Sequence, residues 1–211
     1  MLKSYFQKIG SRRVIVMLVG NIIIGLGVAV FKLSGMGNDP FSAMMMALSA
    51  KIGMSYPLFQ VMMNCLFFIV QLLWGRHLIG IGTIVNALGL GYFADFFYKF
   101  LTSFVAPPNM FVIQVVLVVI GVLVCSFGLS WYQLPDVGVA PYDALALIAH
   151  DKFSKIPYFW CRIATDGLAA LLAWFCGGII GLGTLVCAFG LGPFIQFFNV
   201  HFTSKLLKKG K

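Results

Sequence analysis

Two seven-residue stretches determine the architecture of this chain: GNDPFSA, from Gly37 to Ala43, and GVAPYDA, from Gly138 to Ala144. Both begin with glycine, carry proline and then an aromatic residue at the centre, and end with alanine. The surrounding residues repeat at an offset of about 101 positions, so that Gly20–Phe97 corresponds to Gly121–Phe198. A duplication with matching Pro and Gly breaks in an apolar chain is typical of membrane transporters built from repeats.

The composition predicts an all-α integral membrane protein. The chain has 211 residues, of which 61% are hydrophobic and only 10% are charged, and its mean hydropathy is +0.98. A soluble domain carries roughly a quarter charged residues. Several windows reach the roughly 18 to 20 apolar residues that cross a bilayer. Backbone groups in hydrocarbon must bond within the chain, so these windows are predicted to be helices.

The positive charge indicates the orientation in the bilayer. The formal net charge is +9, from 15 Lys and Arg against 6 Asp and Glu. The excess lies at the two ends of the chain, in Lys3, Lys8, Arg12, Arg13, Lys205, Lys208, Lys209 and Lys211. Basic residues that flank apolar spans mark the cytoplasmic side. Both termini are therefore predicted in the cytoplasm, in contact with lipid headgroups, and a nucleic-acid partner is not expected.

We predict a single membrane domain over residues 1–211, with internal repeats at 14–103 and 110–202. Six long transmembrane helices are predicted, together with two short helices that each begin with proline. The long helices are Val14–Leu33, Pro57–Trp74, Leu78–Phe100, Met110–Trp131, Pro157–Phe175 and Gly178–Phe198. The short helices are Pro40–Ile52 and Pro141–Phe153.

Each short helix is about 20 Å long, less than the ~30 Å hydrocarbon core. Re-entrant half-helices, short tilted spans and interfacial helices are all compatible with that length, although the lack of a strong polar face argues against the last. If the short helices do not cross, each half has three spans and the repeats are inverted. If they cross, the repeats are parallel, with Lys51 and Lys99 inside and Arg76 outside, and this two-to-one count of basic residues favours crossing over the reverse.

The first candidate site is the pair Arg162 and Asp166, four residues apart on one face of the fifth long span. Ionisable groups inside a membrane are costly and mark functional sites, although a purely structural pair is the alternative. Arg162 would bind an anionic group, and Asp166 would orient it or carry a coupling proton. Gln60 and Asn64 have the same spacing in the first half. The two halves would then form one asymmetric substrate-binding site.

The second candidate site consists of the turns before the short helices, which contain Asn38, Asp39 and Asp143. One interpretation is capping, in which Asn38 or Asp39 accepts free N–H groups and Asp143 complements the helix dipole. The other is a broken-helix substrate site, in which unpaired N–H groups face the solute. The two interpretations are compatible.

The sequence gives no sign of catalytic chemistry. The five cysteines lie in apolar spans without a Cys-x-x-Cys pair, and there is no Ser/His/Asp set, metal-ligand spacing or phosphate-binding loop. We therefore expect no enzyme activity, no metal and no cofactor.

The duplicated unit resembles the YczE/YitT-like family of small bacterial membrane proteins. The resemblance is carried by Gly37 to Ala43, Tyr56 to Phe59, Gly138 to Ala144, and Arg162 with Asp166. It implies a polytopic protein of the bacterial inner membrane that is built from a repeat, and it implies no particular substrate.

Two functions are compatible with the sequence. The first is a secondary transporter or permease for a small, anionic organic solute, with the site between the repeats. The second is a non-transporting membrane subunit or assembly partner, which would bind another membrane protein or a second copy of itself.

Overall fold

The computed structural model describes residues 10–208, and all the regular elements in that range are helical. Lys3, Lys8, Lys209 and Lys211, on which the predicted orientation partly rests, lie outside the described residues. The helices are α1 (Ser11–Ser34), α2 (Pro40–Ile52), α3 (Tyr56–Trp74), α4 (Ile81–Phe104), α5 (Phe111–Gln133), α6 (Pro141–Lys152), α7 (Tyr158–Phe175), α8 (Leu182–Phe198) and α9 (Ser204–Lys208).

A helix is present at each of the eight predicted positions, but two of them begin three or four residues later than predicted. Leu78 belongs to a short 3₁₀ turn, and α4 begins only at Ile81, after Gly80 in an extended conformation. Gly178 likewise precedes a non-helical segment, and α8 begins at Leu182. In both places the backbone bonds a distant turn of the chain instead of continuing the helix.

Among the described residues, four helices are long and apolar enough to cross a membrane: α1, α3, α5, and α8 with its continuation to Leu207. The other two long helices contain the charged pairs, Asp95 with Lys99 in α4 and Arg162 with Asp166 in α7. These polar residues lower their hydropathy. Length and composition alone therefore support an integral membrane protein with four spanning helices.

Glycines bring α1 and α5 together at the centre of the fold. A Cβ atom on Gly20 would lie 2.6 Å from the backbone nitrogen of Tyr132, and one on Gly121 would lie 3.1 Å from the ring of Phe31. Small residues of this kind let two helices approach closely in a membrane. Early residues of α1 meet late residues of α5 and the reverse, so the two helices run antiparallel.

The short helices pack against helices from the opposite half of the chain. Helix α2 lies against α7, and α6 lies against α3. Each short helix also contacts the long helix that follows it in sequence. Because each short helix packs on the other half in this way, the polar turns before α2 and α6 lie in the middle of the molecule. We refer to this arrangement as the exchange of short helices.

Candidate functional site

The N-terminal ends of the two short helices meet at the centre. The rings of Phe41 and Tyr142 stack with 4.4 Å between their centroids and an interplanar angle of 24°. Phe67 lies against both rings, at 6.5 Å and 6.1 Å. The aromatic residue that follows proline in each seven-residue stretch therefore forms the contact between the two halves.

The turn before α2 is folded back toward the middle of α1. The Asn38 side chain donates from Nδ2 to the Val28 carbonyl at 3.0 Å and accepts the Asp39 N–H at 2.9 Å. Asp39 in turn accepts the Ser42 N–H at 3.0 Å and caps the helix. Gly37 has φ +96°, in the left-handed region that a side chain would disfavour. The capping interpretation of this turn is therefore correct in its geometry.

Arg162 is held by two carboxylates. Its Nε lies 3.0 Å from Asp166 Oδ2, as the spacing of four residues predicts, and its Nη1 lies 2.6 Å from Asp143 Oδ1. Tyr142 donates its hydroxyl to Asp166 Oδ1 at 2.7 Å. Both aspartate side chains are largely buried, with 14% and 12% exposure, while that of Arg162 is 33% exposed. Asp143, from the first turn of α6, is thus a second partner of Arg162 beside Asp166.

A central cavity of about 70 Å³ lies beside this network. Its polar lining comprises Asp39, Ser42, Asn86, Tyr142, Asp143 and Arg162. Asn86 is fixed across helices by donating to Asn21 Oδ1 at 2.8 Å. The carboxylates of Asp39, Asp143 and Asp166 outnumber the single guanidinium. An anionic group that enters this cavity would therefore add to an excess of negative charge unless an aspartate left Arg162 or took up a proton.

Gln60 and Asn64 lie away from this cluster. Asn64 donates to the Ala87 carbonyl at 3.0 Å, and Gln60 lies against Gly91, so both face α4. Gln60 is fully buried, and neither its amide nitrogen nor its amide oxygen has a hydrogen-bond partner among the described residues. Neither residue lines the central cavity.

A larger cavity, of about 400 Å³, lies on one side of the central cluster. This wide cavity is bounded by the end of α1, by Asn38 and α2, and by residues 177–179. Lys32 and Tyr56 also line it. Sequence reasoning missed both residues, because a basic or aromatic residue at the end of a span is typical of an interfacial anchor.

Two junctions between the halves are built from the same kind of hydrogen bond. At the first junction, where residues 36–38 meet residues 177–184, Gly183 donates its N–H to the Met36 carbonyl at 2.9 Å. At the second, where residues 137–139 meet residues 76–83, Gly82 donates to the Val137 carbonyl at 2.8 Å. The two donors, Gly82 and Gly183, are 101 positions apart, and so are the two acceptors, Met36 and Val137. This distance equals the offset of the sequence duplication.

The second junction is closed by further bonds. Val139 donates its N–H to the Leu78 carbonyl at 2.9 Å, and Gln71 Nε2 donates to the Val139 carbonyl at 3.2 Å. Thr83 Oγ1 accepts the Gly80 N–H at 3.1 Å. Beyond these bonds, His77 Nε2 lies 3.4 Å from Asp151 Oδ2.

The first junction is closely packed, since a Cβ atom on Gly37 would lie 2.9 Å from Gly181 N, but it has fewer hydrogen bonds. Thr184, which corresponds to Thr83, is buried, and its hydroxyl has no partner among residues 10–208. The wide cavity occupies this junction, and its lining includes Gly37, Asn38 and Ile179. The second junction thus has more hydrogen bonds than the first, and the wide cavity lies on the side of the first.

The long apolar helices mark this chain as a membrane protein, and the comparisons place it in a family. It belongs to the family of unknown function DUF6198, whose sequence profile matches residues 11–200. No solved structure shows significant similarity to the chain.

Three bacterial proteins are similar to the chain over most of its length. YyaS of Bacillus subtilis, described as uncharacterized, is 28% identical over 191 residues, which cover 89% of this chain and 94% of YyaS. An uncharacterized protein of Haemophilus influenzae is 26% identical over 185 residues, 87% of this chain and 81% of its own length. The uncharacterized membrane protein YczE of B. subtilis is 25% identical over 180 residues, 84% and 81% of the two chains. The resemblance to YczE-like proteins is confirmed.

Proposed function

We propose that this protein is a secondary transporter for a small, anionic organic solute, and that it works by alternating access between its two halves. The difference between the junctions carries the proposal. Two junctions with the same backbone hydrogen bond lie on either side of one buried polar cluster, and only the second junction has additional hydrogen bonds. A transporter that exposes a central site to one side at a time requires such a pair.

We propose further that residues 14–103 and 110–202 are inverted repeats. The antiparallel packing of α1 and α5 supports this arrangement, because corresponding helices run in opposite directions only in inverted repeats. All six long helices would then cross the membrane, and α2 and α6 would be re-entrant. Both termini and the second junction would face the cytoplasm of a bacterial inner membrane, with the wide cavity on the outer side.

At the centre, the proposed exchange keeps the buried charge constant. The anionic group of the solute replaces the Asp143 carboxylate on Arg162, and Asp143 takes up a proton as it leaves. Arg162 keeps two anionic partners throughout, which avoids the cost of an uncompensated charge in a buried site. Asp166 stays on Arg162 and is oriented by Tyr142. The stoichiometry is one proton with one anion, and the proposal includes no catalytic step.

Cysteine labelling tests alternating access without knowledge of the solute. In a variant without native cysteines, Ala43→Cys reports on the wide cavity, which Ala43 lines. Ala144→Cys occupies the corresponding position in the second half, where Ala144 is fully buried. We expect a membrane-impermeant maleimide to label Ala43→Cys from outside. It should label Ala144→Cys only from the cytoplasmic side, and more slowly.

A disulfide that holds the second junction closed provides the control. A Cβ atom on Gly75 would lie 2.8 Å from Ile148 Cγ1, so Gly75→Cys and Ile148→Cys are placed to form the bond. Oxidation should stop the labelling of Ala144→Cys and leave that of Ala43→Cys unchanged, and reduction should reverse the effect. Labelling of Ala144→Cys at the same rate with the disulfide intact would contradict alternating access.

A non-transporting subunit or assembly partner is the second candidate function. Helix α8 favours it, because very little of this apolar helix is buried among the described residues and large side chains such as Phe189 and Leu185 are exposed. Lipid covers such a face equally well. This function would gain support if Ala144→Cys were never labelled and a stoichiometric membrane partner co-purified with the protein.

A further inference from the structure

The wide cavity has the size and the walls of a small-molecule site. Its volume of about 400 Å³ lies within the range of roughly 300 to 1,000 Å³ that is typical of ligand pockets. Its walls are largely apolar and include Phe31, Met46, Met54 and Ile179. Such a surface suits a hydrocarbon or aromatic body. It does not suit a sugar or another polyol, which would need many hydrogen-bond partners.

Lys32 provides a positive charge at this cavity. The residue is partly buried, and its Nζ lies 4.0 Å from the centroid of the Tyr98 ring. Asp95, the acidic residue of a small neighbouring cavity, is paired with Lys99 at 2.8 Å. Lys32 forms no ion pair with any carboxylate in residues 10–208. Arg162, in contrast, already has two carboxylate partners.

Tyr56 provides a hydrogen-bond donor beside Lys32. The residue is only 8% exposed, and its hydroxyl has no hydrogen-bond partner among the described residues. Tyr56 and Lys32 line both the wide cavity and the small cavity next to it. Buried hydroxyl groups in native proteins are nearly always paired, and an unpaired one requires an explanation. The hydroxyl oxygen is covered by neighbouring atoms, so a ligand oxygen in the cavity would satisfy it after a small rotation of the side chain.

We infer that the wide cavity binds an amphipathic monocarboxylate, with the carboxylate on Lys32 and the Tyr56 hydroxyl and the apolar body against Met46 and Met54. This inference rests on the proposed transport function and names the class of solute: the wide cavity is the outer site that the carboxylate occupies before it passes to Arg162. A dianion such as a phosphate ester would lack a second cation and would leave charge uncompensated against apolar walls. An amine would place a positive charge beside Lys32.

Three probes of one chain length separate the possible ligand classes. Binding of hexanoate, hexanamide and hexylammonium is measured by calorimetric titration of the full-length protein in lipid nanodiscs. Only hexanoate should bind. Lys32→Gln should weaken its binding by at least about tenfold and Tyr56→Phe by about three- to tenfold, the usual range for charged and neutral hydrogen bonds. Lys51→Gln, which removes an exposed lysine at the end of α2, should leave the affinity unchanged.

The outcomes separate this inference from the proposed function. Binding of hexanamide or hexylammonium as tight as that of hexanoate, or an unchanged affinity in Lys32→Gln, would overturn the carboxylate site. Absence of binding by all three probes would overturn it as well. Neither result bears on the labelling of Ala144→Cys, which tests alternating access without any ligand. The folded state of each variant is checked by its unfolding midpoint.

Discussion

The ring of Phe41 stacks on the ring of Tyr142 at the point where the two short helices meet, with 4.4 Å between the centroids. Each residue follows the proline that begins its helix. The Tyr142 hydroxyl also donates to Asp166, so the same side chain joins the contact between the halves to the network around Arg162. A change in the relative position of the short helices would therefore reach the charged cluster directly.

Phe41→Ala should destabilise the protein by about 3 kcal/mol, the usual cost of truncating a buried phenylalanine. The residue is 8% exposed, and its loss would leave a cavity between Tyr142 and Phe67. Phe104→Ala is the matched control, because Phe104 is 73% exposed. Its effect should stay within about 0.5 kcal/mol. Unfolding by denaturant in mixed micelles measures both, and equal losses would contradict a structural role for the stack.

Arg162→Gln should cost about 3 kcal/mol or more, because it leaves Asp143 and Asp166 buried without a cation. Adding Asp143→Asn and Asp166→Asn should recover part of that loss, since the uncompensated charges are then removed. The interaction energy is obtained from the unfolding free energies of the variants in a mutant cycle.

The α4 pair Asp95 and Lys99, which lies at 2.8 Å and has a largely exposed lysine, serves as a control for the Arg162 cycle. Neutralising both of its members should cost less than about 1 kcal/mol. A cycle around Arg162 that gives no more coupling than this exposed pair would show that the buried network does not contribute to stability.

The sequence predicts local features of the fold and site well. The apolar windows and the Pro and Gly breaks indicate where each helix lies, and the spacing of Arg162 and Asp166 predicts the contact that they make. These features depend on the period of one helix or on the properties of one residue type, and no knowledge of neighbouring helices is required.

The position of Gln60 and Asn64 shows where such reasoning ends. Their spacing equals that of Arg162 and Asp166, but spacing only indicates that two residues share a face of a helix. Which neighbour that face contacts depends on the exchange of short helices between the halves. Helix α7 turns its polar face to Asp143, whereas α3 turns its polar face to α4. Tertiary packing of this kind cannot be derived from the period of the chain.

Gly138→Ala should destabilise the second junction by about 2 kcal/mol or more, because the free-energy cost of a strained backbone adds to the cost of a steric clash. Gly138 has φ +113°, and a Cβ atom there would lie 2.6 Å from the backbone of Gly80. Gly192→Ala is the control, since Gly192 lies in a helix with no atom within 4 Å of an added Cβ. That change should stabilise the protein by about 0.5 kcal/mol. Similar midpoints for the two variants would contradict a tightly packed junction.

Site-specific labelling distinguishes re-entrant short helices from short helices that cross the membrane. If α2 and α6 are re-entrant, Lys51 and Lys99 lie outside and Arg76 lies inside, whereas crossing helices reverse all three. Lys155 lies inside in both arrangements and is the internal control. All four side chains are exposed, so a cysteine at each position is accessible to reagent.

In cells with an intact inner membrane, an impermeant maleimide should label Lys51→Cys and Lys99→Cys but neither Arg76→Cys nor Lys155→Cys. The antiparallel packing of α1 and α5 supports this expectation. The count of basic residues alone favours crossing, because crossing places Lys51 and Lys99 rather than Arg76 on the cytoplasmic side. Labelling of Arg76→Cys alone would instead establish parallel repeats, and the antiparallel packing of α1 and α5 would then require a different explanation.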